Sequence, residues 1–229
     1  SRIITMAPGR HTVAHDVFLP PGYSVQGVAP LDIDLVNGAR IVSRSPMLWK
    51  GLEEAPITLR SSDASGGGLR LITTGAESRF EHVRIEGFGN DANGVAAIVL
   101  QDAPSTWKDC SLGEVRSRDL LQVVRGSLRL HGCSFTGGAD QIKLAYTVAT
   151  IERADMRGAS DDAVTVKGGK LDFSNGLVTA TGGSALVLDE LATVIVEQCN
   201  LASEKDALEV SEGATINVDG GRITSAKGA

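Results

Sequence analysis

The stretch Ser160-Asp161-Asp162-Ala163-Val164-Thr165-Val166-Lys167-Gly168-Gly169, written SDDAVTVKGG, sets two adjacent carboxylates beside a lysine. Taken alone it has the composition of an acid-base site. A catalytic pair is needed once, however, whereas a structural device recurs with the fold, and this stretch recurs. The same short strand returns as Asp119-Leu-Leu-Gln-Val, Asp140-Gln-Ile-Lys-Leu, Asp162-Ala-Val-Thr-Val, Ser184-Ala-Leu-Val-Leu and Asp206-Ala-Leu-Glu-Val, in steps of 21, 22, 22 and 22 residues. Ala96-Ala-Ile-Val-Leu lies 23 residues before Asp119 and fits the same frame. Self-similarity at this period is the signature of a solenoid.

Within each unit the apolar residues alternate, as in Leu121/Val123, Ile142/Leu144, Val164/Val166 and Leu186/Leu188. Period 2 means strands and argues against helical or leucine-rich repeats. A second strand column follows at Leu130, Ile151, Phe173, Val196 and Val218, so every coil has at least two β faces. The cysteines fall into the register too: Cys110, Cys133 and Cys199 share a column with Ala154, Gly176 and Gly221. They are expected as small buried thiols. A Cys110–Cys133 bridge is the alternative, because neighbouring coils about 4.8 Å apart lie within disulfide range.

Composition agrees with β structure. Aromatics are only 4% and glycines number 27, so Val, Ile, Leu and Ala must fill the interior of a chain that turns often. The formal charge of −6, with no basic block interleaved with aromatics, excludes the electrostatic footprint of a nucleic-acid binder. The longest apolar run, Val95 to Leu100, is far too short for a membrane span. One coil of about 22 residues buries four to six aliphatic side chains, worth about 1.5–3 kcal/mol each. Those side chains are covered only when neighbours flank the coil on both sides, so the stack is cooperative.

With inward Val, Ile and Leu stacks and small-residue ladders of the kind Asp162-Ala-Val-Thr-Val begins, the chain resembles the right-handed parallel β-helix superfamily of pectate-lyase-like proteins over residues 30 to 225. The resemblance implies an all-β, single-stranded right-handed parallel β-helix of about eight coils of roughly 22 residues. Residues 1–30, with Pro20-Pro21-Gly22, are expected as an extended N-terminal cover, residues 31–225 as the helix and residues 226–229 as a tail. Ser61-Ser-Asp-Ala-Ser-Gly-Gly-Gly is its expected exposed loop. Apolar residues run to Ile223 without a closing helix, which predicts further coils or end-to-end self-association at that end.

Asp119, Asp140, Asp162, Ser184 and Asp206 precede their strands, where a short oxygen-bearing side chain accepts backbone N–H bonds and sets the corner; a structural turn ladder is the expectation. Lys143, Lys167, Arg125, Tyr146 and the extra acid Asp161 distinguish the middle coils and are expected to gather on one solvent-facing patch. The family supplies two readings of it. A polysaccharide lyase, hydrolase or epimerase acting on an acidic polysaccharide needs a base and a cation, with Lys143, Lys167, Asp161 and Asp162 as the catalytic candidates. A glycan-binding surface needs a stacking ring and charged hydrogen-bonding groups, supplied by Arg125, Lys143, Tyr146 and Lys167. The Asn-Thr-Asp with Gly-His-Gly of polygalacturonases and the Asp-Pro-His of alginate epimerases are absent. The expectation is therefore a non-catalytic scaffold or binding module, extracellular or at the cell surface, with polysaccharide as the partner class. No metal or cofactor is expected, Ca²⁺ entering only with the lyase reading.

Overall fold

Alternating apolar residues become strands that turn one side inward. Leu121 and Val123 pair with Ile142 and Leu144, these with Val164 and Val166, and these with Leu186 and Leu188, all in parallel register. None of the eight is more than 1% exposed. The computed structural model describes residues 2–89, 95–115 and 119–226, and over them the chain is a parallel β-solenoid with no helix.

Each coil has three faces. The first runs from Val17–Leu19 through Leu121–Val124 to Leu208–Val210, the second from Arg2–Met6 through Ser127–His131 to Thr215–Asp219, and the third from Gly9–Val13 through Ser134–Gly137 to Arg222–Ser225. Two 11-residue strands, Ile142–Glu152 and Val164–Ser174, run unbroken from the first face into the second. They merge those two faces into one 17-stranded sheet. The third face is a separate sheet of 10 strands, one per coil, so the described residues make ten coils.

Ten coils correct the expected count of about eight. Nine of the third-face strands, from Leu31–Leu35 to Arg222–Ser225, lie within residues 31–225. One additional coil comes from residues 2–30, which are wound into the stack: Ile4 pairs with Val25 and His11 with Ile33. Its repeat is hard to read because the first coil has a described neighbour on one side only. Its strands are accordingly half-exposed and carry polar residues such as Arg10 and Thr12. Residues 227–229 of the expected tail lie outside the described residues.

The stretch around Ser61 also departs from expectation. Ser62–Ser65 are exposed, but Gly66, Gly67 and Gly68 are buried. The reason is backbone proximity: Gly68 has φ +82°, and a Cβ on it would stand 2.0 Å from the Ala97 carbonyl oxygen. On the second face Trp49, Phe80 and Trp107 form one column, in which Phe80 meets Trp49 edge-on at 5.7 Å between ring centroids and stacks on Trp107 at 3.9 Å. Cys110, Cys133 and Cys199 are buried free thiols.

Candidate functional site

The Asp residues that precede the first face form a chain of bonds between coils. Asp119 Oδ1 accepts the N–H of Asp140 at 3.2 Å, Asp140 Oδ1 that of Asp162 at 3.0 Å, and Asp162 Oδ1 that of Ser184 at 2.7 Å. Each carboxylate thus satisfies a backbone donor on the following coil, at a corner where the sheet ladder is interrupted. The chain changes character at Ser184, whose hydroxyl bonds Glu209 at 3.3 Å, and Asp206 is exposed. Lys143 points out of the first face and closes the other side of the ladder. Its Nζ lies 2.9 Å from Asp119 Oδ2 and 2.7 Å from Asp140 Oδ2.

At the opposite edge of the first face, where it turns into the second, one residue per coil adopts the left-handed conformation. Asp102, Arg125, Tyr146, Gly168 and Glu190 have φ of 48°, 50°, 53°, 64° and 55°. This conformation disfavours residues with a Cβ, yet four of the five are not glycine. The device is architectural, since His82, Asp109, Arg153, Asn175 and Gln198 at the next corner share it. Its consequence at the first corner is a single outward file of side chains. Arg125 reaches back to Asp102 with two bonds, of 3.1 and 3.0 Å. Tyr146 reaches forward over Gly168, and its hydroxyl donates to Glu190 Oε2 at 2.6 Å. Lys167 Nζ meets the other oxygen of Glu190 at 3.1 Å.

Gly168 makes that reach possible. A Cβ there would stand 2.9 Å from Tyr146 Cδ1 and 3.0 Å from Cε1, so the ring lies along the backbone of the next coil. Gly168 is buried beneath it, while Tyr146 itself is 56% exposed. The side chain is therefore a plate, fixed at its hydroxyl and flanked along its Cδ1–Cε1 edge by Gly168, with more than half of it open to solvent.

The electrostatics follow from these pairs. Burial works against the Lys143 ammonium, but Asp140 and Asp119 outweigh it and hold its pKa above the ordinary lysine value. Glu190 likewise raises Lys167 and Tyr146, and it is itself lowered by Tyr146 and then Lys167. Asp102 and Arg125 stabilise one another's charge. Asp162 moves the other way: burial raises its carboxyl, the Ser184 N–H opposes this, and the neighbouring Asp161 and Asp140 add to the rise. Asp140, Asp161 and Asp162 each bring an oxygen within 4.8 Å of the others, a spacing compatible with a divalent cation. Asp140 and Asp162 already commit oxygens to the ladder, and nothing further in the structure assigns an ion to this cluster.

The expected single patch is thus divided between the two edges of one face. Lys143, Asp161 and Asp162 stand with the ladder at one edge; Arg125, Tyr146 and Lys167 stand at the other, with Arg125 turned toward Asp102. The residues that join the second group, Glu190 and Gly168, were not singled out in the sequence. The signal was present in the repeat, since extending the Tyr146 column by two steps passes through both. Open grooves of about 440 and 710 Å³ lie on the third-face side, beside His82 and Asp109 and beside Arg60 and Asp63, and no candidate residue lines either.

No family model and no curated protein matches this sequence. Among solved structures the chain is similar to a mutant of the periplasmic alginate epimerase AlgG, at 10% identity over 96% of this chain and 78% of that one, with a TM-score of 0.30. Similarity at that level carries no argument about the site, and the fold stands on the strand register itself.

Proposed function

We propose that this chain is a non-catalytic β-solenoid binding module that holds a glycan against its first face, with Tyr146 as the stacking platform. The observation that carries this reading is the exposed Tyr146 ring, held along its Cδ1–Cε1 edge by Gly168 and tied to Glu190 at 2.6 Å. A sugar ring stacks on an aromatic face with little loss of freedom when the aromatic is already immobile. Lys167 and Glu190 border the ring and offer hydrogen bonds to hydroxyls, and Arg125 precedes it in the same file. Across the face Lys143 and the ladder supply further polar contacts. The strands that separate the two edges place them about 15–20 Å apart, enough for a chain of several sugars.

The ion pairs speak against a lysine base in the catalytic alternative. A lysine that removes a proton next to a uronate carboxyl must be neutral at working pH, whereas Lys143 and Lys167 are both paired with carboxylates that favour the ammonium. An extracellular or surface location, where polysaccharide is met, belongs to the same reading.

The test has two arms. Glycan binding is measured for the wild type, Tyr146→Phe and Tyr146→Ala, with binding expected to be weakened slightly by Phe and about tenfold by Ala. In parallel the protein is incubated with pectate, alginate and glycosaminoglycans, with and without Ca²⁺. Unsaturated uronates are read by absorbance, chain cleavage by reducing ends and epimerisation by proton exchange at C5. Turnover on any substrate, abolished by Lys143→Ala or Lys167→Ala, would replace the module with an enzyme.

A further inference from the structure

We infer that the glycan taken by this face is built from amino sugars with free amines, and not from uronates or sulfated sugars; the inference rests on the binding reading above. Its ground is the charge around the Tyr146 plate. Between residues 119 and 209 the first face and its two edges carry four cations, Arg125, Lys143, Lys167 and Lys205, against nine carboxylates, and Arg125 is paired with Asp102. Lys143 is spent on Asp119 and Asp140, and Lys167 on Glu190. An acidic chain crossing from the plate to the ladder would have to break those pairs or lie among unneutralised carboxylates. Asp161 is exposed at the ladder end of this route, and Asp189 is half-buried beside Lys167.

The same arrangement suits a cation. An ammonium on the stacked sugar itself can sit over the open face of Tyr146, where the ring quadrupole attracts it. Further amines along the chain meet the carboxylates of the adjoining coils, each exposed pair contributing modestly and in a salt-dependent way. Stacking then supplies position, and the acidic surface supplies selection between otherwise similar polymers.

The experiment compares three probes of equal length by calorimetric titration in mildly acidic buffer: a glucosamine oligomer, its N-acetylated counterpart and an oligogalacturonate. The glucosamine oligomer is expected to bind about tenfold more tightly than the acetylated one and to weaken as salt is added. The oligogalacturonate is expected not to bind. Tyr146→Ala should weaken both amino-sugar probes about tenfold, whereas Asp161→Asn should weaken only the one with free amines, by roughly twofold. Equal or tighter binding of the acetylated or the acidic oligomer overturns this inference. If that binding is lost in Tyr146→Ala, the glycan-binding reading stands without it. Amine binding that survives Tyr146→Ala unchanged is attraction to net charge and also overturns it. No binding of any probe removes both proposals.

Discussion

Asp140 accepts the backbone N–H of Asp162, on the next coil, at 3.0 Å through one carboxylate oxygen, while the other oxygen holds Lys143 at 2.7 Å. Asp140 is only 4% exposed, so its bond to the Asp162 N–H is made where water does not replace it, while the Lys143 side of the other bond is partly open to solvent. Asp140→Ala leaves a backbone donor unpaired and the Lys143 ammonium half-neutralised. It should lower stability by about 1–3 kcal/mol. Asp206 has the same place in the repeat but is exposed, so Asp206→Ala should change stability by less than about 0.5 kcal/mol. Urea midpoints of the two variants check this, and equal losses would mean that the ladder does not depend on these bonds.

Gly168→Ala should displace the Tyr146 ring. The residue has φ +64°, and the added Cβ would stand 2.9 Å from the ring. Two costs arise: about 1 kcal/mol for a Cβ in the left-handed region, and a steric cost at Tyr146. A double-mutant cycle separates them, because only the second disappears in the Tyr146→Ala background. A coupling energy near zero would show that the ring does not rest on Gly168.

Two carboxylates should respond to pH with opposite sign. Asp63 is pushed down to about 2, chiefly by the N–H groups of Asn37 and Ser65. Its folded pKa is below its unfolded one, so its stabilisation is present above the unfolded pKa of about 4 and is lost as pH falls toward 2. Asp162 is raised above its ordinary value by burial. It therefore costs stability once ionised, and this cost appears as pH rises through its folded pKa. Asp162→Asn, which still accepts the Ser184 N–H, should be more stable than wild type at neutral pH and lose that advantage in acid. Asp63→Asn should be less stable than wild type at neutral pH, with the difference shrinking toward pH 2. Midpoints across a pH series decide both, and parallel curves for all three proteins would refute the assignment.

The thiols should be silent until the fold opens. Cys110 is raised by its neighbour Cys133 and by burial, and Cys199 by burial; the bond with Cys110 lowers Cys133, so at that thiol it is burial that keeps reagents out. Native protein should resist a small alkylating reagent, and denatured protein without reductant should take up all three labels. A single label after denaturation would reveal a Cys110–Cys133 disulfide.

The inward columns of the solenoid were legible because stacking repeats them. Once Leu121 and Val123 stand above Ile142 and Leu144, a step near 22 and a period of 2 carry the register through Leu186 and Leu188. Hydrophobic burial depends on those two periods alone, and both can be read from the order of residues. The first coil escaped the same reading because its half-exposed strands are under weaker demand to be apolar. What only the tertiary structure decided is how side chains meet between coils. Whether Lys143 reaches its carboxylates, whether Arg125 turns back to Asp102, and that Tyr146 passes over Gly168 to Glu190 are set by the direction a left-handed corner gives a side chain. They also depend on whether the residue on the intervening coil leaves room. Neither quantity is written in the alternation of apolar and polar residues, since a residue in the Tyr146 position faces solvent in every coil whatever it goes on to touch.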